Sequence, residues 1–364
     1  MYKSEVSQTE VKKTSVSPVI NTEKVSDLNL NTQTQSTTTL KSVQKVSVAT
    51  TSKVSKLPIL SISKSTSTST SVVKDPLIKK VDFSLVNEQA RKALVNIICS
   101  VTSSGTISPI TGSGVFVSSD GVILTNAHIA QYFLLKDFDG QKDYLDCIIR
   151  TGSPAYPTYR AKLVYISPDW VFNNKKILLE EKPVGTGEYD YAFLKITERV
   201  DGSELRSVDF ISLNTDDSNL KKGTPTVLVS YPAGFLGGIA ILQYLYQSSA
   251  ETFIKDFFTF KADTIDLISV GGTIVSQRGS SGGAVVDASS RLLGIISVSS
   301  DDLSTKDRDL RAITVSYINR DLENKTKSGI KSLILNADSV ANVFSISFFD
   351  LLKKTLEDSI LGKN

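Results

Sequence analysis

The sequence predicts an all-β body of two successive barrels, with a short helix ahead of them and another helix at the end. Three observations predict it. From residue 95 onward, short runs rich in Val, Ile and Leu alternate with turns carrying Gly, Asn, Asp and Ser. These runs fall into two sets, and two sets imply two barrels. Helical spacing of apolar residues occurs only before the first set and after the last.

Residues 1 to 75 contain no Gly and a single aromatic, Tyr2, within a Ser/Thr/Lys/Val texture that offers no periodic apolar face. Such a segment cannot offset its ordering entropy and reads as a disordered linker or stalk. Between Ser84 and Leu94, the apolar Leu85, Ala90, Ala93 and Leu94 alternate with Glu88, Arg91 and Lys92. That pattern predicts a short amphipathic helix capped by Ser84. The first strand set is read at 95–102, 114–117, 121–125, 147–150, 161–166 and 192–196. The second is read at 226–230, 273–276, 283–287, 292–298 and 312–317. The barrels span about 90–205 and 206–325, within a body running from 76 to 325.

The apolar stretch from Phe235 to Tyr246 contains Gly237 and Gly238, is too short to span a bilayer, and reads as a buried strand. From Leu236 to Val270 the chain is longer than a simple hairpin needs, and a lid or activation loop is one reading of it. In the extension 326–364, Phe348, Leu352, Leu356 and Ile360 recur every four residues and predict a helix with one apolar stripe. That stripe packs on the body or, as the lesser reading, meets a partner.

With 41 basic and 38 acidic residues the formal charge is +3 and no basic cluster stands out, so a nucleic-acid footprint is excluded. A single His and two Cys outside any CxxC pair argue against a structural metal, and no cofactor motif occurs. The first residues lack the apolar core of a signal peptide. The chain is then cytoplasmic, or an export segment lies outside it.

The strongest local signal is TGSGVFVSSDGVILTNAH, Thr111 to His128. Glycines 112 and 114 permit close backbone approach, Ser119-Asp120-Gly121 makes a hairpin turn, and the strand 122–124 delivers His128 just beyond its end. Histidine titrates near neutrality and can take a proton from a hydroxyl and return it to a leaving amine. In QRGSSGGAVVD, Gln277 to Asp287, Ser281 sits among glycines just before an apolar strand. The amides of Gly279 and Ser281 could converge there on an oxyanion. Ser280 is the rival nucleophile, but only Ser281 is followed directly by Gly-Gly and the strand. Asp190 in YDYAFLKI, at the entry of an apolar strand, is the best partner for the imidazole N–H, whereas Asp137, Asp139, Asp143 and Asp146 lie in a polar stretch. The order His, Asp, Ser is that of the chymotrypsin class, and no Gly-x-Ser-x-Gly elbow supports a lipase.

GSGVFVSSDGVILTNAH, YDYAFLKI and QRGSSGGAV together resemble the His, Asp and Ser motifs of trypsin-like serine peptidases of the bacterial HtrA/Deg type, over about residues 90 to 320. The resemblance implies two six-stranded antiparallel chymotrypsin-like barrels with the site in the cleft between them, and a polypeptide substrate. It implies His128 as general base, Asp190 as its orienter, Ser281 as nucleophile, and Gly279 and Ser281 as oxyanion donors. Gly294 to Ser299 is similar to the strand that pairs with substrate backbone, which makes Ser297, Val298 and Ser299 substrate-binding. Val275, six residues before the nucleophile, falls at the base of the primary pocket and argues for an aliphatic or small P1 side chain. A role in protein quality control and an extracytoplasmic location follow from the same resemblance. About 44 residues follow Arg320, too few for a PDZ domain, and the oligomeric state is not readable. In this topology Cys99 lies on the first strand and Cys147 on the fourth, as neighbours. They are read either as a disulfide or as two buried thiols.

Overall fold

Asp82 starts the first helix, because its carboxylate accepts the Ser84 amide at 2.9 Å. The cap therefore falls on Asp82 rather than on the expected Ser84. The computed structural model describes residues 82–102, 107–180, 185–261, 263–299 and 308–363. The predicted linker over residues 1–75 lies outside them. Helix α1, Phe83–Ala93, buries Phe83, Val86, Ala90 and Ala93 and passes directly into the first strand.

The first barrel is closed. It comprises β1 (Leu94–Val101), β2 (Ile110–Phe116), β3 (Val122–Thr125), β4 (Leu145–Thr151), β5 (Tyr156–Ile166) and β6 (Ala192–Arg199), hydrogen-bonded in the cyclic order β1-β2-β3-β6-β5-β4. All neighbours are antiparallel. One four-residue helix, α2 (Ala127–Ala130), follows β3, and another short one, α3 (Pro168–Asn174), follows β5. Cys99 and Cys147 stand directly opposite each other on β1 and β4, and their sulfurs are bonded.

The second sheet adds β7 (Ser212–Leu213), β8 (Pro225–Ser230), β9 (Ser248–Phe253), β10 (Asp256–Phe258), β11 (Leu267–Ser269), β12 (Ala284–Asp287), β13 (Arg291–Ser299) and β14 (Leu310–Thr314). Its path runs β10-β11-β14-β13-β12-β8-β9, with β7 a short parallel rung on β13. The two edge strands, β9 and β10, are separated in sequence only by Ile254 and Lys255. The sheet therefore curls until its edges meet at that corner, and one bent strand serves both. Counted so, six strands enclose a core of Leu228, Ile254, Ile268, Val270, Val275, Val285, Leu293, Ile296, Leu310 and Ala312. Closure comes through the chain rather than through a ladder of hydrogen bonds, unlike the first barrel.

Three further sequence readings need correction. The expected strand at 235–246 is instead a largely exposed stretch containing the helix α4, Gly238–Gln243, with Ile239 and Leu242 facing solvent and only Leu245 wholly buried. Buried Arg150 fixes this helix from β4 by donating to the carbonyls of Ile241 and Leu242 at 2.9 and 3.1 Å. The rest of the presumed lid supplies β9, β10 and β11. Residues 273–276 form a turn rather than a strand, because the Ser276 hydroxyl accepts the Thr273 amide at 2.9 Å. The strand read at 312–317 stops at Thr314, whose hydroxyl accepts the Tyr317 amide at 3.1 Å and so caps a helix.

That helix is α5, Val315–Thr326. It is followed by α6 (Ile330–Leu335), α7 (Ala337–Phe344), a π turn (Ser345–Phe349) and α8 (Asp350–Ile360). Leu352, Leu356 and Ile360 are buried at the spacing read from sequence, whereas Phe348 falls in the π turn and stays 40% exposed. Among the described residues no helix is long and apolar enough to cross a membrane.

Candidate active site

β3 ends at Thr125, the chain turns at Asn126, and His128 is the second residue of α2. Across from it, Tyr189 takes a left-handed conformation with φ 60° and presents Asp190 just before β6. The Asp190 carboxylate meets His128 twice. Oδ1 accepts the His128 amide at 2.9 Å, and Oδ2 lies 2.8 Å from ring Nδ1. Asn126 Nδ2 donates to the Asp190 carbonyl at 2.9 Å, fixing the backbone below the side chain.

The carboxylate is almost completely buried and the imidazole about a quarter exposed. Burial by itself pushes the Asp190 carboxyl up. The His128 ring and amide and the Ser297 hydroxyl outweigh it and hold the group below its ordinary value. Asp190 is thus ionised at neutral pH and keeps the Nδ1 proton on the imidazole, leaving Nε2 as the acceptor.

Ser281 lies in a tight turn, Gln277 to Gly283. Ser280 N–H donates to the Gln277 carbonyl at 3.1 Å, and Gly283 N–H donates to the Ser280 carbonyl at 2.9 Å. Gly279 and Gly282 both have positive φ, at 89° and 83°. A side chain on Gly282 would meet the Ser113 carbonyl at 2.0 Å and Thr125 Oγ1 at 2.6 Å, so only glycine lets this turn close on the first barrel. Ser280 is buried, with its hydroxyl taking a hydrogen bond from Ser230 at 2.9 Å, while Ser281 is partly exposed. Among the described residues the Ser281 hydroxyl makes no hydrogen bond, and the amides of Gly279 and Ser281 have no protein acceptor.

A short chain of contacts joins the serine turn to the His-Asp pair. Gly282 N–H donates to the Ile296 carbonyl on β13 at 2.7 Å. The next residue, Ser297, donates its hydroxyl to Asp190 Oδ2 at 2.7 Å. On the other side, the Ser113 amide on β2 donates to the Ser281 carbonyl at 2.7 Å, its hydroxyl donates to the Gly279 carbonyl at 2.8 Å, and the same hydroxyl accepts the Tyr231 amide at 2.9 Å. Thr125, three residues before His128, donates to the Ser113 carbonyl at 2.7 Å.

Of the other residues singled out from sequence, Val275 is wholly buried in the second core, among Leu228, Ile254 and Ile296. Ser297, expected to bind substrate, lies on β13 and donates its hydroxyl to Asp190. The backbones of Val298 and Ser299 continue β13 and pair with Arg311 and Leu310 on β14. Sequence reasoning passed over Asn126 and Ser113, although both lie inside the motif that delivers His128. The available signal was a polar side chain between two glycines, for Ser113, and at the junction of strand and helix, for Asn126. Among the described residues no three His, Cys, Asp or Glu side chains converge as a metal would require.

A trypsin-like peptidase domain model matches residues 112–295, just over half of the chain, including His128, Asp190 and Ser281. No curated protein is significantly similar to the chain. The matched segment takes in β2 to β6 of the closed barrel and most of the curled second sheet. Fold and sequence agree that the chain is a chymotrypsin-like double barrel and belongs to the trypsin-like serine peptidases.

Proposed function

We propose that the chain is a serine endopeptidase that hydrolyses peptide bonds through an acyl-enzyme, with Ser281 as nucleophile, His128 as general base and acid, and Asp190 as the orienting carboxylate. One observation carries this reading. Asp190 Oδ2 stands 2.8 Å from His128 Nδ1 in a buried setting, which fixes the tautomer that leaves Nε2 ready to accept a proton.

Ser281 Oγ attacks the scissile carbonyl as its proton passes to Nε2. The carbonyl oxygen, now negative, is received by the amides of Gly279 and Ser281, which are unoccupied by protein acceptors. His128 then protonates the leaving amine, and water repeats the sequence to release the acid. The Ser281–His128 hydrogen bond forms as substrate closes the site, because such contacts are often long in unliganded enzymes. In this reading the substrate backbone pairs with β13 at Val298 and Ser299, and Val275 lies behind the primary pocket, favouring a small or aliphatic P1 residue.

Covalent labelling by a fluorophosphonate, followed by peptide mapping, tests the assignment. The expected result is one adduct on Ser281, and a Ser281→Ala chain with turnover reduced by roughly a million-fold. A chain that resists the probe and leaves casein intact is instead an inactive barrel used for binding.

A further inference from the structure

Asp190 is flanked by two tyrosines, and both are held by one face of α5. The amide of Tyr189 donates to Tyr317 Oη at 3.2 Å. Tyr191, wholly buried, donates its hydroxyl to Asp321 Oδ2 at 2.6 Å. Lys325 Nζ pairs with the same Asp321 oxygen at 2.9 Å and lies 3.7 Å from the centre of the Tyr189 ring. It also reaches Asp169 Oδ2 at 2.9 Å and Ser167 Oγ at 3.1 Å. Tyr317, Asp321 and Lys325 follow one another at four-residue spacing and so share one helix face.

We infer that α5 is a positioning clamp for the carboxylate: Tyr317, Asp321 and Lys325 act through Tyr189 and Tyr191 to set Asp190 against His128. This rests on the reading of Asp190 as the orienting group, and adds where its placement is decided. Tyr189 is a bulky residue in a left-handed conformation, which persists only where the surroundings over-determine it. Its surroundings are the Tyr317 hydroxyl and the Lys325 ammonium. On the other flank, burial drives the Tyr191 hydroxyl far above its ordinary value, with Tyr165 and Asp321 adding to the effect. It therefore stays protonated and keeps donating to Asp321, a charge-assisted bond in a dry setting. Packing alone would need neither bond, since the Tyr191 ring already lies against Tyr165 and Phe193.

None of the three α5 residues touches the reacting groups, so their effect is read at His128. It is the only histidine in the chain, and its ring N–H resonance is unambiguous in a 15N-labelled sample. Tyr191→Phe and Tyr317→Phe each remove one hydroxyl while keeping the ring. Both are expected to shift the Nδ1–H resonance and to lower kcat roughly tenfold to a hundredfold, the scale of a small misplacement, with KM within about twofold. Asp321→Asn, which keeps an acceptor oxygen, should return closer to the parent than Asp321→Ala does. Folded Tyr191→Phe and Tyr317→Phe chains whose resonance stays at the parental position overturn the clamp, whether or not the parent cleaves peptides. A shifted resonance with unchanged kcat upholds the clamp and overturns the catalytic reading of Asp190.

Discussion

Ser297 and His128 share one oxygen of Asp190: the serine hydroxyl donates to Oδ2 at 2.7 Å, and the imidazole Nδ1 lies 2.8 Å from the same atom. The carboxylate is therefore held from the second barrel as well as from the first. Removing the hydroxyl in Ser297→Ala takes one donor from a buried charge. The expected cost is about 1.5–3 kcal/mol of stability at neutral pH, read by urea unfolding, together with a lower kcat. A stability unchanged within error would mean that the hydroxyl contributes nothing to holding the carboxylate.

Asp190→Asn keeps the shape of the site but cannot hold the same imidazole tautomer. Turnover should fall by roughly ten-thousandfold. The parent also predicts a pH trend. Its folded-state carboxyl titrates below the 3.8 of an unstructured Asp, so the resulting stability is fully present above about pH 4 and is lost as pH falls through the folded value. Unfolding free energies of the parent and of Asp190→Asn should therefore converge on acidification below pH 4. A gap that widened there would contradict the assignment.

Gly282→Ala and Gly140→Ala make a controlled pair, because both positions have positive φ, 83° and 76°. At Gly140 nothing lies within 4 Å of the added carbon, and the cost should stay at roughly 1–2 kcal/mol, the backbone contribution alone. At Gly282 the carbon meets a main-chain oxygen at 2.0 Å, so the nucleophile turn must move away from β2. Fluorophosphonate labelling should disappear in Gly282→Ala and survive in Gly140→Ala.

The Cys99–Cys147 bond ties β1 to β4 across a sequence separation of 48. In the chain-entropy account, closing a loop of that size is worth about 4 kcal/mol. Guanidinium unfolding with and without reductant should show a loss of this order. Intact mass should rise by two hydrogens on reduction, and a chain whose mass does not change would carry free thiols.

The site was legible where local rules dictate it. Gly279 and Gly282 lie in a turn with positive φ, and Thr111 to His128 run through β2, its hairpin and β3 into α2, a local order visible in one dimension. The misreadings share another cause. Phe235 to Tyr246 looked buried because it is apolar, yet α4 is anchored from its carbonyl end by Arg150, 91 and 92 residues away. Val315 and Tyr317 favour strands by type, but Thr314 turns the chain into a helix. The bond from the Ser297 hydroxyl to Asp190 was not legible either, because the two lie 107 residues apart. Long-range polar bonds leave no periodic trace in the sequence.

Ser113 reaches across to the second lobe through its amide, which donates to the Ser281 carbonyl, and its hydroxyl, which donates to the Gly279 carbonyl and accepts the Tyr231 amide, while its carbonyl accepts Thr125 within the first barrel. Alignment of the nucleophile turn with the first barrel thus rests on one peptide group and on a single hydroxyl, which a substitution at Ser113 deletes. A change at this one serine, which never meets a substrate, would be felt at once as a loss of rate.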